Sequence, residues 1–186
     1  SWVTYNCSVE NKLCLNGVCV TSISPTIEKL VINNQVGNKT VFWTGGETGY
    51  FYFLSTQEKQ TMTHIHGSVF SVSGDKIVWA DYRNANSTYY FSNTDIYLYD
   101  SSTGQERQIT TNTAQQGEPV ISGDKIVWND GRHVNSDIYV YSLSTGQETQ
   151  ITTNNRSQGS PSISGNKIVW QDYRNGNADI YMTTIS

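Results

Sequence analysis

The sequence GDKIVW occurs at residues 74–79 and again at residues 123–128, and GNKIVW follows at residues 165–170. Each copy is followed by an Asp-x-Arg and an Asp-Ile-Tyr, and the first two also by a Gly-Gln-Glu and an Ile-Thr-Thr. A weaker copy, GNKTVFW, lies upstream at residues 37–43. The tryptophans of the four copies, Trp43, Trp79, Trp128 and Trp170, are separated by 36, 49 and 42 residues. Repeats of about 40–50 residues with several short strands are typical of propeller blades or solenoid arrays.

One repeat contains the strands of one propeller blade. In the third copy, β-branched, aromatic and alternating segments are separated by turn residues such as Gly123-Asp124 and Ser144-Thr145-Gly146. These segments are residues 119–122, 125–128, 137–143 and 148–152. No stretch of the chain shows sustained helical periodicity. The sequence therefore predicts an all-β propeller of about four blades, each a four-stranded antiparallel sheet.

The repeated tryptophan is expected in the core between neighbouring blades. The strands are apolar on both sides, as in Ile77-Val78-Trp79, which is what a sheet buried on both faces requires. A sugar-stacking role for the tryptophan is the alternative. Because its strand position recurs in every blade, we interpret it as structural.

The repeat resembles a known family once its parts are read in order. These are Pro-x-Ile-Ser-Gly-Asp-Lys-Ile-Val-Trp, then Asp-Tyr-Arg-Asn-Gly-Asn-x-Asp-Ile-Tyr, then Ser-Thr-Gly-Gln-Glu-x-x-Ile-Thr. This order resembles the TolB-like propeller repeat of archaeal and bacterial cell-surface proteins, strongly over residues 69–185 and weakly over 27–68. The resemblance implies the fold, an extracellular or surface setting, and a structural, adhesive or protein-binding role. It implies no reaction.

The chain divides into an amino-terminal segment, residues 1–26, and the propeller repeats, residues 27–186. The repeats cover about residues 29–64, 69–110, 118–152 and 160–186, and the fourth lacks its outermost strand. The candidate for that strand is residues 18–24. It either closes the ring within one chain or completes the blade of a neighbour, which would give a fibre or a swapped oligomer.

All three cysteines lie in the amino-terminal segment. Asn16-Gly17 between apolar flanks is a strong hairpin signal, and it places Cys14 and Cys19 opposite one another, where a disulfide fits. A zinc site is the weaker alternative, because no fourth cysteine or nearby histidine completes a ligand set. Cys7 is then left over, either for a bond to another chain or as a buried free thiol.

Composition limits the partners. The formal net charge is −4 and charged residues make up 15% of the chain, without a basic stripe, so a nucleic-acid partner is not expected. No apolar run is long enough to span a membrane. Four Asn-x-Ser/Thr sequons are candidate glycosylation sites in a secreted or surface protein: Asn6, Asn38, Asn86 and Asn155.

Acidic and basic residues recur together in three of the repeats. The sets are Asp81/Arg83/Asp95, Asp130/Arg132/Asp137 and Asp172/Arg174/Asp179. A feature that every blade carries is expected to be scaffold, with each arginine bridging its two loop carboxylates. Calcium binding is the alternative, but two aspartates supply few oxygen ligands and the arginine competes with the ion.

Features that occur once are the better candidates for a binding site. The loop from Trp79 to Asp95 is seven residues longer than its counterparts and carries Tyr89, Tyr90 and Phe91, which we predict to be ligand-binding. His64-x-His66 would place two imidazoles on one face of a strand, but solvated or packed histidines explain the pair better than a metal does. His133 is expected at the surface of a polar loop.

The expected function is a non-catalytic structural or adhesive module outside the cell that joins with itself or with other surface proteins. No Ser/His/Asp, Cys/His or HExxH arrangement is visible, and no catalytic residue, metal or cofactor is predicted. The first alternative is a carbohydrate-binding, lectin-like propeller. The second is a propeller enzyme that processes polysaccharides or peptides, which would need a cleft carboxylate pair with displaced pKa values.

Overall fold

The computed structural model describes residues 12–15, 18–21, 35–36, 40–45, 48–53, 59–63, 65–85 and 93–186. The chain forms two compact units, Ser1–Leu30 and Val31–Ser186. In the first unit, β1 (Lys12–Leu15) pairs antiparallel with β2 (Val18–Thr21). The register sets Cys14 opposite Cys19, as the Asn-Gly signal predicts. A bond between the two sulfurs stays a prediction, and Cys7 lies outside the described residues.

The second unit consists of four antiparallel sheets, and no helix occurs among the described residues. The first blade contains β3 (Gln35–Val36), β4 (Thr40–Gly45), β5 (Thr48–Phe53) and β6 (Lys59–Thr63). The second contains β7 (Gly67–Ser73), β8 (Lys76–Asp81), β9 (Asp95–Asp100) and β10 (Gln105–Gln108). The third contains β11 (Gln116–Ser122), β12 (Lys125–Asp130), β13 (Asp137–Ser142) and β14 (Glu148–Gln150). The fourth contains β15 (Gln158–Ser164), β16 (Lys167–Asp172) and β17 (Asp179–Thr184).

The turns that join the strands use glycine where the backbone needs a positive φ. Gly123, between β11 and β12, has φ 56°, and Gly146, between β13 and β14, has φ 70°. An L-residue with a Cβ adopts this left-handed conformation at a cost, whereas glycine adopts it freely. The same positions recur in the neighbouring blades, so the turn chemistry explains why the repeat keeps its glycines.

The first strands of the second, third and fourth blades each contain a bulge. In β11 the register shifts between Gly117 and Val120, and in β15 between Gly159 and Ser162. Glu118 and Ser160, which lie inside these bulges, have φ of 50° and 48° although neither is glycine. Bulges of this kind bend a strand and redirect its side chains, and they are common beside functional sites.

A blade has two faces, and both faces of the second and third blades pack against neighbouring blades. The face towards the preceding blade, here the trailing face, carries Ile77, Trp79 and Tyr97 in the second blade. The face towards the following blade, here the leading face, carries Val78, Ala80, Ile96 and Leu98 in the second blade. The leading face of the second blade packs on Ile126, Trp128 and Tyr139 of the third, and the leading face of the third on Ile168 and Trp170 of the fourth. Trp79 and Trp128 are fully buried and Trp170 is buried, so the predicted inter-blade position is confirmed for these three tryptophans.

The fourth blade has three strands, in the order β15-β16-β17. The segment predicted to complete it, residues 18–24, is described over Val18–Thr21, where it forms β2 and pairs with β1. Among the described residues no strand lies beside the outer edge of β17. The supply of a fourth strand, by this chain or by a neighbour, therefore stays a prediction.

Candidate functional site

The recurring acidic and basic residues form a compact cluster in the second, third and fourth blades. In the third blade the indole Nε1 of Trp128 donates to Asp130 Oδ2 at 2.9 Å. Arg132 donates to the same carboxylate through its backbone N at 2.9 Å, its Nε at 2.9 Å and its Nη2 at 2.6 Å. The guanidinium also lies over the ring of Tyr139, 4.3 Å from its centroid. Asp130 is completely buried, and its charge is satisfied by four donors.

The second and fourth blades repeat the cluster. Trp79 Nε1 donates to Asp81 at 2.7 Å, and Trp170 Nε1 donates to Asp172 at 3.0 Å. Arg83 Nη2 and Arg174 Nη2 each bind the same carboxylate at 2.6 Å. Their guanidinium groups lie over the tyrosines that are opposite the tryptophans, Tyr97 and Tyr181. This recurrence supports the scaffold interpretation of the sets.

The second partners of Arg83 and Arg132 differ from the prediction. Arg132 Nη1 donates to Glu148 at 2.6 Å and Arg83 Nη1 to Glu106 at 2.5 Å, both on the outermost strand of the blade. The prediction that each arginine bridges two loop aspartates is wrong, because Asp95, Asp137 and Asp179 face other donors. Thr110 Oγ1 donates to Asp95 and Thr152 Oγ1 to Asp137. The side-chain amides of Asn175 and Asn177 bind Asp179.

The pKa values of Asp130 and Asp172, which arginines bind, are lowered, whereas those of Asp95 and Asp137 are raised. Hydrogen bonds from Arg174, with further help from Trp170, lower the pKa of Asp172 to about 2. Burial acts to raise the pKa of Asp130, but the bonds from Arg132 and Trp128 outweigh it and the net pKa is lowered. At Asp95 and Asp137 desolvation dominates and raises the pKa. Asp130 and Asp172 are therefore ionised, and they anchor the loops that follow Trp128 and Trp170.

Two of the predicted histidines lie in the described part of the chain, and neither contributes to a metal cluster there. His66 is placed in the connection between β6 and β7, so the prediction of two imidazoles on one face of a strand is wrong; its ring lies edge-on to Tyr82. His133 is exposed, with Nε2 3.0 Å from the hydroxyl of Tyr139. Across the described residues no group of three or more His, Cys, Asp and Glu side chains is arranged to hold a metal ion.

Most of the other predicted site residues lie outside the described residues. These are the aromatic residues Tyr89, Tyr90 and Phe91, the sequon residues Asn6, Asn38 and Asn86, and His64. Asn155 is described, and it is exposed in the bend between β14 and β15, a location that can accept a glycan.

A cleft between the second and third blades escaped the sequence analysis. It has a volume of about 370 Å³ and is lined by Tyr82, Thr94, Gln116, Glu118, Asn129 and Ser136 together with neighbouring backbone. Thr94 is 6% exposed, and its Oγ1 has no hydrogen-bond partner, nor does Asn129 Oδ1. Buried polar atoms without partners are costly unless water or a ligand satisfies them. The Gln-Gly of residues 116–117, repeated at 158–159, was the available signal, but the cleft itself appears only when two blades are adjacent.

Known structures with the same architecture define the class of fold. The chain is similar to a TolB protein from Agrobacterium tumefaciens, with 18% identity over 81% of this chain and 57% of that chain at a TM-score of 0.60. It is also similar to the β-propeller domain of the Trilobed protease from Pyrococcus furiosus, which has an open velcro topology, with 12% identity over 83% and 54% of the two chains and a TM-score of 0.56. An oligogalacturonate lyase in complex with manganese matches at 12% identity over 79% and 48% with a TM-score of 0.59.

These similarities show a TolB-like β-propeller fold of about four blades. The chain spans about half the length of the proteins that it matches. No protein-family model matches the sequence, and no curated protein matches it. The matching structures include a protease domain and a lyase, so the fold is shared by proteins with different activities. In the described part of the chain, no helix has the length and apolar character that crossing a membrane demands.

Proposed function

We propose that the chain is a non-catalytic module outside the cell that acts through protein contacts, as a structural or adhesive unit of a surface assembly. The observation that carries this proposal is the repeated Trp–Asp–Arg cluster. In three blades the buried carboxylate is bound by donors of its own blade, so the charged groups of the repeat stabilise the fold. Supporting observations are the uncharged polar composition and the exposed sequon at Asn155.

The surface location is tested on intact cells of the organism that carries the chain. An antibody against the purified chain should label unpermeabilised cells, and treatment of those cells with an external protease should remove the label. A cytoplasmic protein of the same cells, labelled only after permeabilisation, is the control. Label that requires permeabilisation would contradict the proposed location.

The absence of catalysis is tested separately with the purified chain. We expect no release of product from a panel of polysaccharides and peptides, with and without added divalent cations. Turnover that follows the protein through purification, and that a single substitution in the cleft abolishes, would replace this proposal with the enzyme alternative.

A carbohydrate-binding role is the second candidate, and the cleft between the second and third blades favours it. The cleft combines the tyrosine ring of Tyr82 with amide, hydroxyl and carboxylate groups and two unpartnered polar atoms, which suits a ligand with many hydroxyl groups. Binding on a glycan array that Asn129→Ala and Thr94→Val weaken, while exposed Thr153→Val does not, would favour this role. Loss on Tyr89→Ala and Tyr90→Ala instead would locate binding in the aromatic loop.

A further inference from the structure

Glu118 gives the cleft between the second and third blades a negative charge. Among the described residues that line the cleft it is the only charged one, and none of them is lysine, arginine or histidine. Glu118 is exposed, and it takes no part in the Trp–Asp–Arg clusters. Both blades that form the cleft have all four strands. The cleft therefore presents an acidic wall to a ligand.

A hydrogen bond positions the carboxylate of Glu118. Its Oε2 accepts from the backbone N–H of Ser160, on the fourth blade, at 2.7 Å. In the described part of the chain no donor binds the second oxygen, Oε1. A carboxylate that is already positioned loses little conformational freedom when a ligand binds, so more of the contact energy contributes to affinity. Oε1 is therefore an available acceptor at a fixed place.

The strand that carries Glu118 is also joined to both of its neighbours. The Oγ of Ser73 accepts from the backbone N–H of Gly123 at 3.0 Å, and the Oγ of Ser122 accepts from the N–H of Gly165 at 3.0 Å. Each serine ends the first strand of one blade, and each glycine begins the first turn of the next blade. These contacts hold β11 between β7 and β15, so the cleft is built on a rigid element.

Glu118 has a costly backbone conformation that belongs to the cleft wall. It lies in the bulge of β11 with φ of 50°, a left-handed conformation that is unfavourable for a residue with a Cβ. Counted back from the turn glycine of each blade, the same position holds Val69 in the second blade and Ser160 in the fourth. The repeat therefore does not require an acidic residue here. Backbone strain of this kind clusters at functional sites.

The rest of the wall offers hydroxyl, amide and aromatic groups. Thr94 is 6% exposed and its Oγ1 has no hydrogen-bond partner, and Asn129 Oδ1 has none either. Tyr82 adds an aromatic ring. Groups of this kind bind ligands that carry several hydroxyl groups on a compact apolar frame. A ligand that combines hydroxyl groups with a positive charge matches the whole cleft.

We propose that the cleft binds an oligosaccharide with free amino groups, whose ammonium pairs with Glu118 while its hydroxyl groups bind Thr94 and Asn129. An ammonium donates up to three hydrogen bonds, and a bond between charged groups is about twice as strong as a neutral one. An N-acetylated sugar lacks this charge, and a uronic acid has the opposite charge. This inference rests on the carbohydrate-binding role, the second candidate function above, and names its class of sugar.

The test is isothermal titration calorimetry of the complete 186-residue chain with four sugars of equal length. These are the tetramers of glucosamine, N-acetylglucosamine, glucose and galacturonic acid. The glucosamine tetramer should bind at least about fivefold more tightly than the glucose tetramer, which is the effect expected of one partly exposed ion pair. The galacturonic acid tetramer should bind most weakly. A glucose or galacturonic acid tetramer that binds as tightly as the glucosamine tetramer overturns the proposal.

Variants test whether the preference arises at Glu118. Glu118→Gln removes the charge but keeps a carbonyl that can accept from Ser160, and it should weaken the glucosamine tetramer to the level of the glucose tetramer. Glu118→Gly should do the same, and glycine adopts a φ of 50° freely. Asp75→Asn is the matched control, because it makes the same change in net charge in the turn between β7 and β8, at the end of β8 away from the cleft. Equal losses at Glu118 and Asp75 would mean attraction to the net charge of −4 and would overturn the proposal.

Further outcomes separate this proposal from the function on which it rests. Circular dichroism and thermal unfolding establish that each variant is folded before its binding is measured. Equal binding of all four tetramers removes the amino-sugar proposal and leaves the carbohydrate-binding role, whereas binding of none removes both. Spermidine at the same concentration of amine is a competitor without hydroxyl groups. If it displaces the glucosamine tetramer completely, the cleft recognises charge alone and the proposal is overturned.

Discussion

At the scale of single residues, stability depends on a buried carboxylate that is shared by an indole and a guanidinium. Asp130 has no exposure to solvent, yet it keeps its charge because Trp128 and Arg132 donate hydrogen bonds to it. The planar fork of arginine is essential here, since it also reaches Glu148 and stacks on Tyr139. A lysine has one charged nitrogen and cannot make these contacts together.

Arg132→Gln is expected to lower the free energy of unfolding by about 3–5 kcal/mol, because it leaves a buried carboxylate without its cation. Arg132→Lys should cost less but should not restore wild-type stability. Chemical denaturation measures both. Arg156→Gln, at an exposed position, is the control and should change stability by less than about 0.5 kcal/mol. Equal effects at the two arginines would refute the role of the cluster.

Asp172 makes part of the folding stability dependent on pH in the acid range. Its pKa falls from 3.8 to about 2 in the folded state, because Arg174 and Trp170 bind the ionised form. A carboxyl whose folded pKa is depressed contributes stability above its unfolded pKa, and this contribution is lost as pH falls through the folded value. Urea unfolding between pH 5 and pH 2 should therefore show a steeper loss for the wild type than for Asp172→Asn.

The comparison isolates Asp172 because both proteins keep the other aspartates. Asp95 and Asp137 act in the opposite direction, since burial raises their pKa and their contribution increases as pH falls. Parallel stability curves for the wild type and Asp172→Asn would show that the Arg174 contact has no energetic effect.

At the scale of the strand, equivalent glycines in three blades differ in the space that is available for a side chain. Gly67 begins β7, and its counterparts Gly117 and Gly159 lie near the start of β11 and β15. A Cβ on Gly67 would lie 2.2 Å from the carbonyl oxygen of Ala80 and 2.7 Å from Trp79 Cδ1. A Cβ on Gly159 would make only an ordinary contact of 3.9 Å with the amide of Asn129.

Gly67→Ala is therefore expected to destabilise the protein by more than about 3 kcal/mol, because backbone must move to relieve the overlap. Gly159→Ala should change stability by less than about 1 kcal/mol, since its φ is compatible with alanine and space is available. Thermal unfolding of the two variants side by side provides the measurement. Similar midpoints for both would contradict the close approach of β7 to β8 at Gly67.

The leading faces permit a second comparison between equivalent strands. Ile138→Ala in β13 should cost about 2–5 kcal/mol, because it leaves a cavity between two blades. Ile180→Ala in β17, at a position 73% exposed, should cost less than about 1 kcal/mol in dilute monomer. Denaturation at low concentration measures both. A large loss at Ile180 under those conditions would mean that its face is covered within one chain.

At the scale of the whole molecule, the chain is divided into two compact units, Ser1–Leu30 and Val31–Ser186. All the inter-blade cores described above consist of residues from the second unit. Residues 31–186 expressed alone are therefore expected to fold, with the β-rich circular dichroism of the full chain.

If the truncated chain is folded but no longer assembles, the amino-terminal segment takes part in assembly. A truncated chain that is unfolded would instead support closure of the fourth blade by residues 18–24. Non-reducing gels with Cys7→Ser test separately for a bond between chains.

The structural features that depend on a single repeat could be predicted from the sequence. The spacing of the tryptophans and glycines predicted the blades, the turns and the inter-blade core. All three depend on local φ angles and on the alternation of side chains along one strand. The second partner of Arg132 could not be predicted, since Glu148 lies on another strand, where the register brings it opposite Tyr141. The cleft at Thr94 and Asn129 could not be predicted from the sequence for the same reason, because it forms only between two blades.

The serine-to-glycine contact between blades also has a consequence for how such a gene can change. Each repeat encodes both halves of the contact, the serine that accepts, such as Ser122, and the glycine that donates, such as Gly123. A recombination event that duplicates or deletes one whole repeat therefore adds or removes one blade together with one complete inter-blade contact in a single step. The GDKIVW segments at residues 74–79 and 123–128 are identical, so an exchange at equivalent points within them leaves the protein sequence of that strand unchanged. The number of blades can therefore change by whole repeats while each pair of neighbouring blades keeps its serine-to-glycine hydrogen bond.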